Sequence, residues 1–463
     1  MESFEPYAVS LLRELQAVYT SGRTRSVEWR RKQLDALWRF LVEREPDILA
    51  ALAADVGKPE HEAWFTEVSY LRHEISYALR HLEKWVRPRH VWTPLVYQPA
   101  SSYVVPEPCG VVLVLSAWNY PMQLALAPVI AAIAAGNCLV LKPSEQAPVT
   151  STLLATALPA YLDRDTVRVV EGGADVAATL VSQPFDHIFY TGSRDVGRKV
   201  LQAAAGHLVP VTLELGGKNP CIVDKGADPE VAARRIAWAK FINAGQTCIA
   251  PDYVLVHREI EALFLEALKV ALQGMYGPDA SLSPEYGRVS SCDAERMGAL
   301  MEGCRIVTGG QVDTNSGYVD PTVLSGVSVA SPVMREEIFG PLLPVIPFSS
   351  PQEAVTIAAE DPSPLALYLF PGSRQLEQYY MQHIRSGGVG INDLLFQAAI
   401  PSLPFGGIGH SGMGRYHGKA GFDIFSHERS VHKKGVFPEN RLRYPPMGAF
   451  RFRLLQALFG LWK

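Results

Sequence analysis

Six short clusters along this 463-residue chain carry side chains suited to covalent chemistry or ligand binding. The first is Gly245-Gln246-Thr247-Cys248. A cysteine behind a glycine-containing turn is presented with little crowding, and its thiolate is a strong nucleophile once its pKa falls. A lone cysteine can equally be a small buried hydrophobe, so this cluster decides nothing by itself. The second is Leu213-Glu214-Leu215-Gly216-Gly217-Lys218. Glu214 closes an apolar run, and a carboxyl at the end of a buried strand has a raised pKa that suits a general base. A simple pairing with Lys218 is the alternative. The third is Trp118-Asn119-Tyr120-Pro121, just after the apolar run 110–115. The Asn119 amide could donate to a developing oxyanion. Asparagine is also a favoured helix N-cap, and the two roles are compatible.

The other three clusters fit a nucleotide. Lys142 and Glu145 stand three positions apart in Leu141-Lys142-Pro143-Ser144-Glu145, where they could hold ribose hydroxyls or a phosphate, or simply form a solvated turn. Gly192, Ser193 and Gly197 follow a short β-rich run and open a helical stretch. Backbone N–H groups at a helix start favour an anion. The spacing is four residues between the glycines, not the usual dinucleotide fingerprint. In Glu336-Glu337-Ile338-Phe339-Gly340-Pro341, Glu337 and Phe339 lie two apart, so on an extended segment they share a side. They could hold a sugar hydroxyl and flank a flat ring. A surface turn with one buried Phe is the alternative.

The elements that must position these clusters are legible from periodicity. Residues 1 to about 90 read as helical, with an amphipathic pattern over 28–56 that stops at Gly57 and Pro59. Residues 91–108 read as a hairpin or extended connector. From Cys109 short apolar runs (110–115, 138–141, 166–170, 187–190) alternate with helical stretches (151–161, 176–182). That alternation predicts a parallel α/β sheet. It resumes after about 210, with runs at 222–224 and 253–257 and a helical stretch at 230–243. The uncharged segment 124–141 approaches membrane-span length, but Pro128 and the Gly136-Asn137 break make it a buried helix, a turn and a buried strand. The glycine- and proline-rich region after 396 reads as loops that return to the first domain or reach a partner subunit.

Composition narrows the function. The net charge of -4 supplies no positive field for nucleic acid. Six scattered cysteines without a CxxC pair argue for a reducing compartment, and against a disulfide framework or a structural zinc site. The twelve histidines show no metal-binding spacing, so no metal site is expected. The N-terminus is acidic where a secretory signal would be basic, and it reads as a helix.

Taken in order across residues 118–341, the six clusters resemble the aldehyde dehydrogenase superfamily. The flanking sequence, the short N-terminus and the tail Arg443-Tyr444-Pro445-Pro446 resemble its class-3 branch, and within it the subgroup handling medium- and long-chain aldehydes. The resemblance runs from about residue 10 to 446. It implies a Rossmann-like parallel-sheet cofactor domain (1–90 and 106–210) and an α/β catalytic domain (211–395). Bridging segments (91–105 and 396–440) would form a small β oligomerisation element, ahead of a C-terminal tail at 441–463. It implies NAD(P)-dependent oxidation of an aldehyde to a carboxylic acid, with Cys248 as nucleophile, Glu214 as base for hydrolysis and Asn119 in the oxyanion site. Lys142, Glu145, Gly192, Ser193, Gly197, Glu337 and Phe339 match cofactor positions, for NAD or NADP alike. Tyr120, Thr247 and His417 match positions near the substrate pocket. A homodimer follows from the same resemblance, and a cytoplasmic location is expected from the sparse cysteines and the helical, non-secretory N-terminus. A dehydrogenase that releases its acyl group to coenzyme A and a cofactor-independent cysteine hydrolase are the competing readings. The tail from Arg451 to Lys463 has no prenylation cysteine and is too short to span a bilayer. Its arginines and aromatic residues fit peripheral membrane contact, packing on a partner subunit or a frayed end.

Overall fold

The computed structural model describes residues 4–94, 97–439 and 444–460, apart from the side chain of Leu458. Two mostly parallel sheets form its framework. The first runs Gly412–Met413, Val211–Glu214, His187–Thr191, Val111–Leu115, Cys138–Lys142, Val167–Val169 across its width. Only the Gly412–Met413 edge is antiparallel. Chain order therefore reverses between Val111–Leu115 and His187–Thr191. In open α/β sheets such a switch point opens a crevice at the carboxyl ends of the strands.

Alternation along the strands builds this sheet's two faces. Val112, Val114, Leu139 and Leu141 face one core layer with the helices Val27–Glu43, Tyr70–Trp85 and Pro121–Ala135. Val111, Leu113, Leu115, Cys138 and Val140 face the other, against Glu5–Thr20, Ala174–Val181 and Arg194–Ala205. Each central strand is buried on both sides, which is why its sequence is a continuous apolar run. The segment 124–141 is as expected: helix, left-handed Gly136 at φ 93°, then strand. The amphipathic stretch 28–56 is two helices rather than one, divided at Arg44 just ahead of Pro46.

The second sheet runs Arg305–Thr308, Thr322–Ser325, Leu342–Phe348, Tyr253–His257, Pro220–Val223, Ala366–Phe370, Gly388–Ile391. It is parallel apart from its first pair. The strand Val211–Glu214 belongs to the first sheet, so the change of layer falls after Glu214 and not at 211. Glu214 thus ends a strand of one half and leads directly into the other. The region after 396 does return to the first half: Tyr416, Phe422 and Phe425 sit in its core. The strand Ser426–Lys434 then pairs with Ala100–Pro108, which also pairs with Arg89–Val91, in a separate antiparallel sheet. Among the described residues no helix is long and apolar enough to cross a membrane.

Candidate active site

A cavity of about 750 Å³ lies at the switch point of the first sheet. Nine of the residues singled out from sequence line it: Asn119, Lys142, Glu145, Gly192, Ser193, Glu214, Cys248, Glu337 and Phe339. Strand register explains the gathering. Leu115 pairs with both Lys142 and Tyr190, and Thr191 with Glu214, so all four strands end at one level.

Cys248 is partly exposed to this cavity. Burial pushes its thiol up to about 12, and the nearby Glu337 and Glu214 carboxyls add to the rise. The free enzyme therefore holds the thiol protonated at neutral pH. Alkylation of Cys248 by iodoacetamide in the absence of ligands should accelerate with pH across the whole range in which the fold survives. A plateau near neutrality would contradict this.

The loop that presents Cys248 is unusual. Asn243, Ala244 and Gly245 are all left-handed, at φ 53°, 50° and 77°. Glycine takes that conformation freely and asparagine more readily than most residues, so the strain falls on Ala244, at about 1–2 kcal/mol. At Gly245 a side chain is excluded twice over, because a Cβ there would lie 2.3 Å from the Gly340 carbonyl oxygen. The loop is held by its own side chains: Gln246 Nε2 donates to the Asn243 and Arg288 carbonyls at 2.9 and 3.0 Å.

Glu214 is 3% exposed, and neither carboxyl oxygen has a hydrogen-bond partner among the described residues. Burial alone raises its pKa well above the usual carboxylate range. The pairing with Lys218 considered from sequence does not form. Lys218 is engaged with Asp252 and with the carbonyls of Val333 and Glu336. Asn219 instead braces the loop from the same segment, donating to the Cys248 and Ala250 carbonyls at 2.8 and 3.0 Å. Asn119 is buried, and its Nδ2 donates to the Gln246 carbonyl at 3.0 Å. It is therefore tied directly to the nucleophile loop.

The remaining lining residues fit a dinucleotide. The Lys142 ammonium is buried and paired with Glu145. Ser193 caps the twelve-residue helix Arg194–Ala205, whose N-terminal N–H groups favour a pyrophosphate there. A Cβ at Gly192 would lie 2.2 Å from the Tyr190 hydroxyl. Gly197 is not on the cavity wall; it makes room for Leu215, whose Cδ2 would lie 2.8 Å from an added Cβ. Glu337 is raised to about 8 by burial and by the Asp252 carboxylate. Phe339, at φ 46°, meets Trp118 edge-on at 5.9 Å.

Tyr120, Thr247 and His417 stand outside the cavity wall. Tyr120 and Thr247 share a hydrogen bond of 2.7 Å, and His417 bonds the Tyr70 hydroxyl at 2.8 Å. Burial holds the His417 imidazole down to about 3, so it is neutral. Sequence reasoning missed Tyr416, Phe405 and Leu365, which line the cavity from distant segments with no local signal. Among the described residues no cluster of histidine, cysteine and carboxylate groups could hold a metal ion.

The sequence profile of the aldehyde dehydrogenase family matches residues 12–431. The chain belongs to the aldehyde dehydrogenase family. An aldehyde dehydrogenase family 3 member A2 from Macaca fascicularis is 45% identical over 94% of this chain and 91% of its own length. The dimeric NADP-preferring aldehyde dehydrogenase of Canis lupus familiaris is 44% identical over 94% of this chain and 97% of its own. The Staphylococcus aureus AldH, solved in a substrate-bound state, superposes with a TM-score of 0.95 at 41% identity, covering 97% of this chain and 99% of that one. This aldehyde dehydrogenase is of the family 3 branch, an oxidoreductase that oxidises aldehydes with NAD or NADP.

Proposed function

We propose that Cys248, Asn119 and Glu214 carry the reaction in the cavity at the switch point. The observation that carries this reading is Glu214, a buried carboxyl with no partner, facing the same space as the thiol. In the proposed sequence the Cys248 thiol loses its proton to solvent, and Sγ attacks the aldehyde carbon, opening the C=O π bond to give a thiohemiacetal oxyanion. The Asn119 amide and the Cys248 backbone N–H hold its oxyanion. When bound, NAD(P)+ supplies the hydride acceptor and a positive ring charge. A positive charge in the cavity favours both thiolate and carboxylate, whose pKa values burial has raised. The product of oxidation is a thioester on Cys248. Glu214 then takes a proton from water as it attacks the thioester, and the carboxylic acid leaves. The buried, unpaired Glu214 favours hydrolysis over release to coenzyme A. A cofactor-independent cysteine hydrolase would need a histidine beside the thiol, and among the described residues none lines the cavity.

Asn119→Ala should lower kcat by about a hundred- to a thousandfold, the usual cost of one oxyanion donor. Steady-state rates at saturating aldehyde measure it. A loss confined to KM would remove Asn119 from this role.

For the cofactor, Lys142, Glu145, Gly192, Ser193, Glu337 and Phe339 form the wall of the proposed site. Glu145 is tied to Lys142, so a 2′-phosphate would not meet an uncompensated carboxylate. That supports use of both NAD and NADP. For the substrate, the apolar Leu365 and Phe405 and the aromatic Tyr416 share the cavity with Cys248, and Tyr416 lies near enough to feel its charge. They support medium- and long-chain aliphatic or aromatic aldehydes. A panel of aliphatic aldehydes of increasing length, with aromatic ones, run with each cofactor, tests both points. Falling kcat/KM with chain length would overturn the substrate assignment.

The proposed assembly is a homodimer, in line with the dimeric canine relative. The proposed location is cytoplasmic with peripheral membrane contact. Its support is the helix Ala449–Gly460, where Phe450, Phe452 and Phe459 are exposed beside Arg451 and Arg453. Residue 440 and residues 441–443 and 461–463 of the tail, Arg443 of the class-3 tail motif among them, lie outside the described residues. Equal liposome flotation of the full chain and of a version ending at Phe450 would remove the membrane contact.

A further inference from the structure

We infer that Glu62 is a positioning residue for the nucleophile loop, acting on Cys248 through the backbone of Asn243. The inference rests on the reading of Cys248 as nucleophile. Glu62 belongs to the short helix Glu60–Ala63, in the N-terminal helical region of the first half. Its carboxyl is 5% exposed, and Oε1 accepts the Asn243 backbone N–H at 2.8 Å. That N–H is the entry point of the three left-handed residues that precede Gln246-Thr247-Cys248. A strained conformation persists only where its surroundings over-determine it. Here a side chain from a distant segment supplies one of those constraints.

The same constraint reaches the proposed oxyanion donor. Asn243 Nδ2 donates to the Asn119 carbonyl at 2.8 Å and to the Gln246 carbonyl at 3.1 Å. Asn119 Nδ2 donates back to the Gln246 carbonyl at 3.0 Å. The same Asn119 carbonyl also accepts from Lys58, whose Nζ lies at 3.3 Å and pairs with the wholly buried Glu67 at 2.5 Å. Glu67 Oε2 in turn accepts the N–H groups of Met122 and Gln123, which open the helix after Asn119. Lys58 and Glu67 thus set Asn119, Glu62 sets Asn243, and the Asn243 amide joins the two. Losing the Glu62 acceptor leaves a buried N–H unpaired at the start of the left-handed run. The loop then relaxes, and the thiol shifts relative to the Asn119 amide. None of these hydrogen bonds involves Lys142, Glu145, Gly192, Ser193, Glu337 or Phe339, the proposed cofactor wall.

The test uses the full chain and three variants. Glu62→Ala removes the acceptor, Glu62→Asp withdraws it by one methylene, and Glu62→Gln keeps an oxygen in place. The readouts are the acylation rate from the pre-steady-state NADH burst, the rate of Cys248 alkylation by iodoacetamide, NADH affinity and the thermal midpoint. Acylation should fall roughly a hundredfold in Glu62→Ala, the size expected when a reacting group moves by about 1 Å. Glu62→Asp should fall in the same direction with an unchanged thermal midpoint, and Glu62→Gln should recover most of the rate. NADH affinity should not move in any of them. Where Glu62→Ala does not fold, Glu62→Asp and Glu62→Gln decide. A native acylation rate in Glu62→Asp overturns the inference, as does a Glu62→Gln enzyme as slow as Glu62→Ala. Parallel loss of NADH affinity and acylation would mark a merely structural role and also overturns it. A Cys248→Ala enzyme that still turns over would instead defeat the underlying reading, so the two failures are distinguishable.

Discussion

Cys248→Ala is expected to abolish aldehyde oxidation while leaving NAD(P) binding intact. The expectation rests on position. Cys248 is the one cysteine on the cavity wall among the described residues, so no other thiol there can stand in for it. Cys138 and Cys221 are sealed in the cores of the two halves, and Cys292 and Cys304 lie in the second half away from the cavity wall. Cys109 is half-buried and its thiol weakly engages the Ile424 carbonyl at 3.8 Å. Alanine fits wherever cysteine did, and the backbone at 248 takes no left-handed turn, so the fold should be kept. The measurement pairs steady-state turnover with NADH titration. Turnover at the native rate would end the proposal, and lost NADH affinity would show that the substitution disturbs more than the thiol.

Glu214→Gln is expected to separate the two halves of the reaction. Acylation needs the thiol, the oxyanion donors and the hydride acceptor. Hydrolysis needs a base for water. The mutant should give a burst of NADH close to one per active site, and then turn over slowly. General base catalysis contributes typically about a hundred- to ten-thousandfold, which sets the expected drop in the steady-state rate. Among the described residues the native carboxyl has no hydrogen-bond partner on either oxygen, so the amide breaks no hydrogen bond of the side chain there. Stopped-flow absorbance of NADH gives burst and steady state in one trace. Full steady-state activity would refute the assignment of Glu214 as base.

The sheets were largely legible from the sequence because strands buried on both faces leave a plain mark. Residues 111–115, 138–141 and 253–256 are continuous apolar runs for that reason. The helix at 121–135 was legible because Gly136 must stop it. The layer boundary was less so. Val211–Glu214 reads the same whichever sheet it joins, and only its pairing with His187–Thr191 places it. At the site, residues at or just past strand ends were visible as breaks after apolar runs: Lys142 and Glu214 at the ends, Asn119 and Gly192 beyond them. Glu62 and Glu67 were not. In a helical stretch an acidic residue looks like a solvated face, and nothing local says that both are buried. Lys58 is masked in the same way, since the Gly57-Lys58-Pro59 sequence reads as an exposed stop, yet its ammonium is wholly enclosed. Contacts made across 60 to 180 residues of chain, such as Lys58 with Asn119 and Glu62 with Asn243, have no periodic signature.

The central claim is that an acyl group is carried on one sulfur. Quenching Glu214→Gln shortly after mixing with aldehyde and NAD(P)+ should trap it, and mass spectrometry of the digested protein should find it. The predicted result is a peptide containing Cys248 heavier by the mass of the aldehyde less two hydrogens, as a thioester requires. An unmodified Cys248 peptide accompanied by a full burst of NADH, or the acyl mass on any other residue, would contradict the account.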